Sequence, residues 1–138
     1  MAPKKQRKRT RVFAKTKPLI AIVDDDESVR EATEALMKAL GFRVQAFPSA
    51  LDFLASPCLG NSFCVIADVN MPQMSGVEMH RRLVELGHHI PTILITGYPD
   101  EKVRARALAD GVIGYLSKPF DEDALLQCVR SALEGRAG

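Results

Sequence analysis

The chain reads as an α/β protein built on a doubly wound parallel sheet, and three observations predict it. Strand-like and helix-like segments alternate five times between residues 19 and 133. Several of the strand segments are apolar at consecutive positions, as expected of strands covered on both faces by helices. Polar residues follow four of the five strands directly, where parallel strands place their carboxyl ends on one common edge.

The first strand is the clearest: Leu19-Ile20-Ala21-Ile22-Val23, ended by Asp24-Asp25-Asp26. Residues 27–40 then carry Val29, Ala32, Leu36 and Leu40 at helical spacing, with Gly41 as the stop. Residues 42–47 alternate apolar and polar, which predicts an edge strand with one face less covered. Pro48-Ser49 opens a short helix through Ala55, broken by Pro57. Residues 63–67 form the next buried strand, and a loop over 68–75 leads into a helix that runs to about Leu86 and ends at Gly87. Residues 91–95 are a fourth strand and 100–109 a fourth helix, stopped by Gly111. Residues 112–116 are a fifth strand, Lys118-Pro119 a turn, and 121–133 the last helix. Five such βα units imply right-handed crossovers.

The 138 residues provide for one domain and a tail. No apolar stretch approaches the roughly 18 residues of a membrane span, and the basic start is not followed by the apolar segment of a signal peptide. Cys58, Cys64 and Cys128 show no CxxC spacing and read as reduced, mostly buried thiols of a cytoplasmic protein. The net charge of +2 conceals an asymmetry. Residues 1–17 hold eight of the 19 basic residues and no acid; residues 18–138 hold 11 bases against 17 acids, a body of charge −6. The division predicts a basic tail over 1–17, read as a disordered extension, and one folded domain over 18–138.

Asp24 to Asp26, Asp68, Thr96 and Lys118 all stand just past strands, so the topology brings them to one cleft. Like charges cannot be packed together unpaired. Two or more carboxylates with backbone and water oxygens form a hard oxygen site that suits Mg²⁺. A hydroxyl and an ammonium opposite them, Thr96 and Lys118, can hold the oxygens of a transferred phosphoryl group. Asp68 stands alone after its strand, and a carboxylate can accept phosphate covalently.

Taken singly, each feature has a plainer reading. Asp26 or Ser28 is expected to cap the first helix, Asp68 can form a turn, Thr96 can bond back to its own turn and Lys118 can be a surface lysine. His80, His88 and His89 lack ligand spacing and read as structural. The combination is what changes the weighting. Ile22-Val23-Asp24-Asp25-Asp26, the segment Asp68-Val69-Asn70-Met71-Pro72-Gln73-Met74-Ser75-Gly76, Leu94-Ile95-Thr96-Gly97 and Lys118-Pro119-Phe120 together resemble the receiver domain of two-component response regulators. The resemblance spans residue 19 to about 135. Ile95-Thr96-Gly97 and Met74-Ser75-Gly76-Val77-Glu78 make it most similar to receivers of the nitrogen-fixation and nodulation type.

The resemblance implies a flavodoxin-like (βα)5 fold with strand order 2-1-3-4-5. It implies Asp68 as phosphoacceptor, with Mg²⁺ held by Asp24, Asp25 (the direct ligand), Asp68 and the backbone carbonyl of Asn70. Thr96 and Lys118 would contact the phosphoryl oxygens, a cis bond would precede Pro119, and Tyr115 would be the aromatic whose rotamer follows phosphorylation. It implies a phosphorelay signalling protein rather than an enzyme, taking its phosphoryl group from a histidine kinase or phosphotransfer protein and acting on a downstream protein target. A homodimer through the fourth helix, fifth strand and fifth helix is a further implied contact. The chain is expected to be a stand-alone receiver or a fragment of a longer regulator. Tyr98-Pro99, just past Thr96, is expected to shield the phosphate from water by bulk. Two alternatives remain at this point: a small phosphatase with an Asp nucleophile, and an adaptor that meets nucleic acid through the basic tail.

Overall fold

The computed structural model describes residues 17–137, so the basic tail lies outside the described residues apart from Lys17. Five strands alternate with five helices: β1 (Leu19–Val23), α1 (Glu27–Ala39), β2 (Arg43–Phe47), α2 (Ala50–Leu54), β3 (Ser62–Asp68), α3 (Gly76–Glu85), β4 (Thr92–Thr96), α4 (Glu101–Ala109), β5 (Gly114–Ser117) and α5 (Glu122–Ala137). All four strand pairings are parallel, and the order is β2-β1-β3-β4-β5. This is the flavodoxin-like arrangement expected. β2 lies at an edge, and its outer exposure follows its alternating sequence.

Every residue of β1, β3 and β4 is buried, because the period of two sends alternate side chains into separate cores. Ala21, Val23, Val65 and Ala67 join Phe53, Met79 and Leu83 on one face of the sheet. Ile20, Ile22, Cys64 and Ile66 join Met37, Leu125 and Val129 on the other. Among the described residues, no helix is long and apolar enough to cross a membrane. Cys58, Cys64 and Cys128 are free, but only Cys64 is fully buried; burial pushes its thiol up to about 12, with Cys128 adding to the effect.

Two expectations need correction. In α1 the buried stripe is Thr33 and Met37, while Leu40, at the C-cap, is 43% exposed. Val29, Ala32 and Leu36 instead line a groove shared with Lys118 and Phe120. The fifth strand begins at Gly114 rather than Val112. Gly111, at φ +106, closes α4, and the Val112 N–H donates to the Ala107 carbonyl as part of that stop. Val112 is therefore a buried helix-end residue, and the chain first meets β4 where the Ile113 N–H donates to the Thr92 carbonyl.

Phe53, fully buried and 5.3 Å from Phe47 between ring centroids, anchors α2 to the sheet. Phe53→Ala is expected to destabilise the fold by about 3–5 kcal/mol, read as a lower urea midpoint with an unchanged slope.

Candidate functional site

The acidic residues that end β1 and β3 converge as their positions foretold. Asp24, Asp25 and Asp68 each offer a carboxylate oxygen within 4.8 Å of the others. Asp24 and Asp68 are 5% and 6% exposed, whereas Asp25 faces solvent. Lys118, after β5, reaches back to both buried acids: its Nζ lies 3.0 Å from Asp68 Oδ1 and 3.5 Å from Asp24 Oδ2. The peptide bond between Lys118 and Pro119 is cis.

The charge balance of this cluster is unequal. Three carboxylates gather here, and Lys118 pairs with two of them while Asp25 is left to solvent. Burial pushes the Asp68 carboxyl above its ordinary pKa, the hydrogen bond and charge of Lys118 offset only part of that, and Asp24 and Asp25 add repulsion. Burial acts to lower Lys118, but Asp68 and Asp24 together hold it above its ordinary value. The Asp68 shift is chiefly one of burial, and the Lys118 shift reflects the acids around it. The donors of the pocket are all hard oxygens, which suit a dication such as Mg²⁺ and not a soft metal.

Local backbone chemistry fixes the loops around this cluster. The Asp26 side chain accepts from the Val29 N–H and caps α1, settling which of Asp26 and Ser28 does so. The Asp26 N–H donates to Asp24 Oδ1 at 2.9 Å, and Arg30 Nη1 donates to the Asp24 carbonyl at 2.8 Å. Ser75 and Glu78 form a capping box at the start of α3. Gly76 there lies so near β3 that a Cβ would sit 2.6 Å from the Asp68 carbonyl oxygen and 2.9 Å from Leu94 Cδ2. Any larger residue must displace the backbone that carries Asp68.

Thr96 is fully buried at the end of β4. Its Oγ1 accepts from the Asn70 side-chain amide at 3.0 Å and from the Tyr98 N–H at 3.0 Å. The sequence reading gave Asn70 a backbone carbonyl for the ion and a place opposite Tyr98; the side-chain tether to Thr96 was missed, as were Arg30 and the close approach at Gly76. Tyr98 departs from expectation. It is 79% exposed, so it contributes its backbone N–H and does not lend bulk to the pocket. Tyr115, in register with Leu94 of β4, is half-buried against the core on that face of the sheet, and its hydroxyl is buried without a hydrogen-bond partner among the described residues.

The raised Asp68 carboxyl has a consequence for stability. An acid whose folded pKa lies above its unfolded value opposes folding above that folded pKa, and the penalty fades as pH falls toward the ordinary carboxylate range. Asp68→Asn is accordingly expected to raise the melting temperature of the metal-free protein at neutral pH. Calorimetry across pH should show the difference shrinking as pH falls; a difference that grows on acidification contradicts the assignment.

Comparison with known proteins places this geometry in a family. The model of the response regulator receiver domain matches residues 20–130. Response regulator protein TmoT of Ectopseudomonas mendocina is 43% identical over 116 residues, 84% of this chain and 53% of TmoT. Nodulation protein W of Bradyrhizobium diazoefficiens is 38% identical over 121 residues, 88% of this chain and 53% of that protein. The crystal structure of FixJ-N superposes with a TM-score of 0.77 at 36% identity, covering 85% of this chain and 94% of that one. The chain thus spans about half the length of these curated relatives, and neither alternative, phosphatase or nucleic-acid adaptor, finds support among them. With its order 2-1-3-4-5 sheet, its acids gathered at the strand ends and its match over residues 20–130, the chain belongs to the response regulator receiver family and is a phosphorylatable signalling domain.

Proposed function

We propose that Asp68 takes the phosphoryl group, from the phosphohistidine of a histidine kinase or phosphotransfer protein, and that a downstream protein reads the result. The observation that carries this reading is Lys118 Nζ, 3.0 Å from Asp68 Oδ1 amid a surplus of negative charge. In the transfer a carboxylate oxygen of Asp68 forms the new O–P bond while the N–P bond of the donor breaks. The electron pair stays with the donor nitrogen, and the imidazole leaves neutral with its proton on the other nitrogen.

Asp24, Asp25, Asp68 and the backbone carbonyl of Asn70 are the residues that would hold Mg²⁺. When bound, the ion supplies charge neutralisation for the incoming phosphoryl oxygens. Lys118 moves its ammonium from the carboxylate to one of those oxygens, and Thr96 gives up the Asn70 amide to donate its hydroxyl to another. Tyr115, whose hydroxyl has no partner in the present rotamer, follows into the space Thr96 leaves. The surface of α4, β5 and α5 changes with it, for a partner or a second copy to recognise. The phosphoryl group ends on the chain's own carboxylate, so the chemistry is self-modification in a cytoplasmic relay rather than turnover of a substrate.

Asp68→Asn and Asp68→Ala are expected to reduce acid-labile labelling from acetyl phosphate to background. Chelation of divalent ions should do the same to the unaltered protein, and added Mg²⁺ should restore it. An undiminished label in either variant refutes the assignment. Asn70→Ala removes one hydrogen bond that must break before Thr96 can move, a bond of about 1 kcal/mol. It is expected to speed labelling by up to about fivefold, and an unchanged or lower initial rate contradicts the tether.

A further inference from the structure

An apolar groove of about 420 Å³ runs along the surface between α1 and the segment joining β5 to α5. Val29, Ala32, Leu36 and Phe120 form most of its wall, and Glu122, the first residue of α5, also lines it. An apolar recess with a charged rim marks an interaction surface. What covers it follows from where the chain enters the domain and from how charge is distributed along the sheet.

The entry point lies on the same face of the sheet as the groove. Lys17 lines a second cavity with Arg43, Phe63 and Leu133. Phe63 and Leu133 belong to the apolar core that also includes Leu36 and Phe120, and Phe63 stacks on Phe42, just past α1, at 6.0 Å between ring centroids. Sixteen residues precede Lys17. Extended, they span about 50 Å, against about 17 Å for the five residues of β1 that lead to the acidic edge. They carry one aromatic ring, in Val12-Phe13-Ala14, and beyond it Lys4, Lys5, Arg7, Lys8, Arg9 and Arg11. The field along the sheet gives these cations a direction. Where the tail begins, Arg43 Nε donates to the Lys17 carbonyl at 2.7 Å, and its charge repels them. At the opposite end Asp25, Asp26 and Glu27 lead into α1, while Asp121, Glu122 and Asp123 lead into α5; all six are exposed. Among the described residues none of the six is paired with a basic side chain.

We propose that the chain's own residues 1–16 dock in this groove, with Phe13 against Ala32 and Leu36 and the six basic residues beyond it on the acidic rim. Four residues separate Phe13 from Lys17, about 13 Å when extended. Leu36 stands one turn from the end of α1, the end that Phe42 and Phe63 place beside the entry point. A tethered segment acts on its own site at an effective concentration in the millimolar range, so contacts too weak to hold a free peptide suffice. The cations then meet the negative charge that would attract Mg²⁺, and the tail becomes a competitor of the ion at the Asp68 pocket. That competition rests on the phosphoacceptor reading above; the docking of Phe13 does not.

Isotope-edited NMR on the full chain tests the proposal. Cross-relaxation is expected from the Phe13 ring protons to the methyl groups of Ala32 and Leu36, and Phe13→Ser should abolish it and shift those methyl resonances. Absence of the contact in the unaltered chain overturns the proposal. Contact seen only between differently labelled copies assigns the groove to the tail of a second copy and overturns it equally. Mg²⁺ titration is the second arm, at about 0.15 M salt, where charges further than about 8 Å from the pocket are screened. A chain carrying Lys4→Gln, Lys5→Gln, Arg7→Gln, Lys8→Gln, Arg9→Gln and Arg11→Gln is expected to bind Mg²⁺ at least threefold more tightly than the unaltered chain. Phe13→Ser, which changes no charge, should move the affinity the same way. Equal Mg²⁺ affinities in all three chains overturn the competition. If no chain binds Mg²⁺, the ion reading of the pocket fails, and the Phe13 contacts still decide whether the tail lies in the groove.

Discussion

One imbalance organises the molecule: three carboxylates gathered round a single ammonium. Nothing in the packing of a flavodoxin-like sheet demands it, and a core of this size would be more stable without it. The fold tolerates the surplus because the acids sit at the rim, where Asp25 reaches solvent and Lys118 spans Asp24 and Asp68. The same imbalance gives the pocket its chemistry. A site already satisfied in charge would have little use for a dication and would gain little from a ligand that brings one.

The surroundings keep this unfavourable cluster in place. Arg30 grips the Asp24 carbonyl, Asp26 closes the α1 end with its own side chain, and the Ser75–Glu78 box sets α3 directly behind Asp68. These contacts are local and directional, and they lie at the strand ends and helix starts, outside the two apolar cores. Thr96 belongs to the same arrangement. Its hydroxyl oxygen is held by one side-chain amide and one backbone N–H.

The strand ends were legible in the sequence because residue type changes there without transition, from Ile22-Val23 to Asp24-Asp25 and from Ile66-Ala67 to Asp68. Periodicity also placed the helices, apart from the buried stripe of α1. There Thr33 and Met37 turn inward in place of Ala32 and Leu40. Val112 reads as a strand residue on composition alone; its backbone is committed to ending α4, which no side-chain pattern reveals. The Asn70 amide, the Arg30 grip and the tightness at Gly76 were illegible for a related reason. Each depends on which backbone atom of another segment happens to stand opposite, and that is a property of the assembled fold. His80 shows the same limit from the other direction, since its burial comes from the turn at Gly111, thirty-one positions along the chain.

The lone phenol of Tyr115 has an optical consequence. The chain has no tryptophan and only two tyrosines, and Tyr98 already stands in water. Ultraviolet emission from the folded domain is thus divided between one ring that stands in water and one that is half-buried with its hydroxyl enclosed. Any rearrangement that changes the exposure of the second ring changes the spectrum without a dye or an engineered reporter.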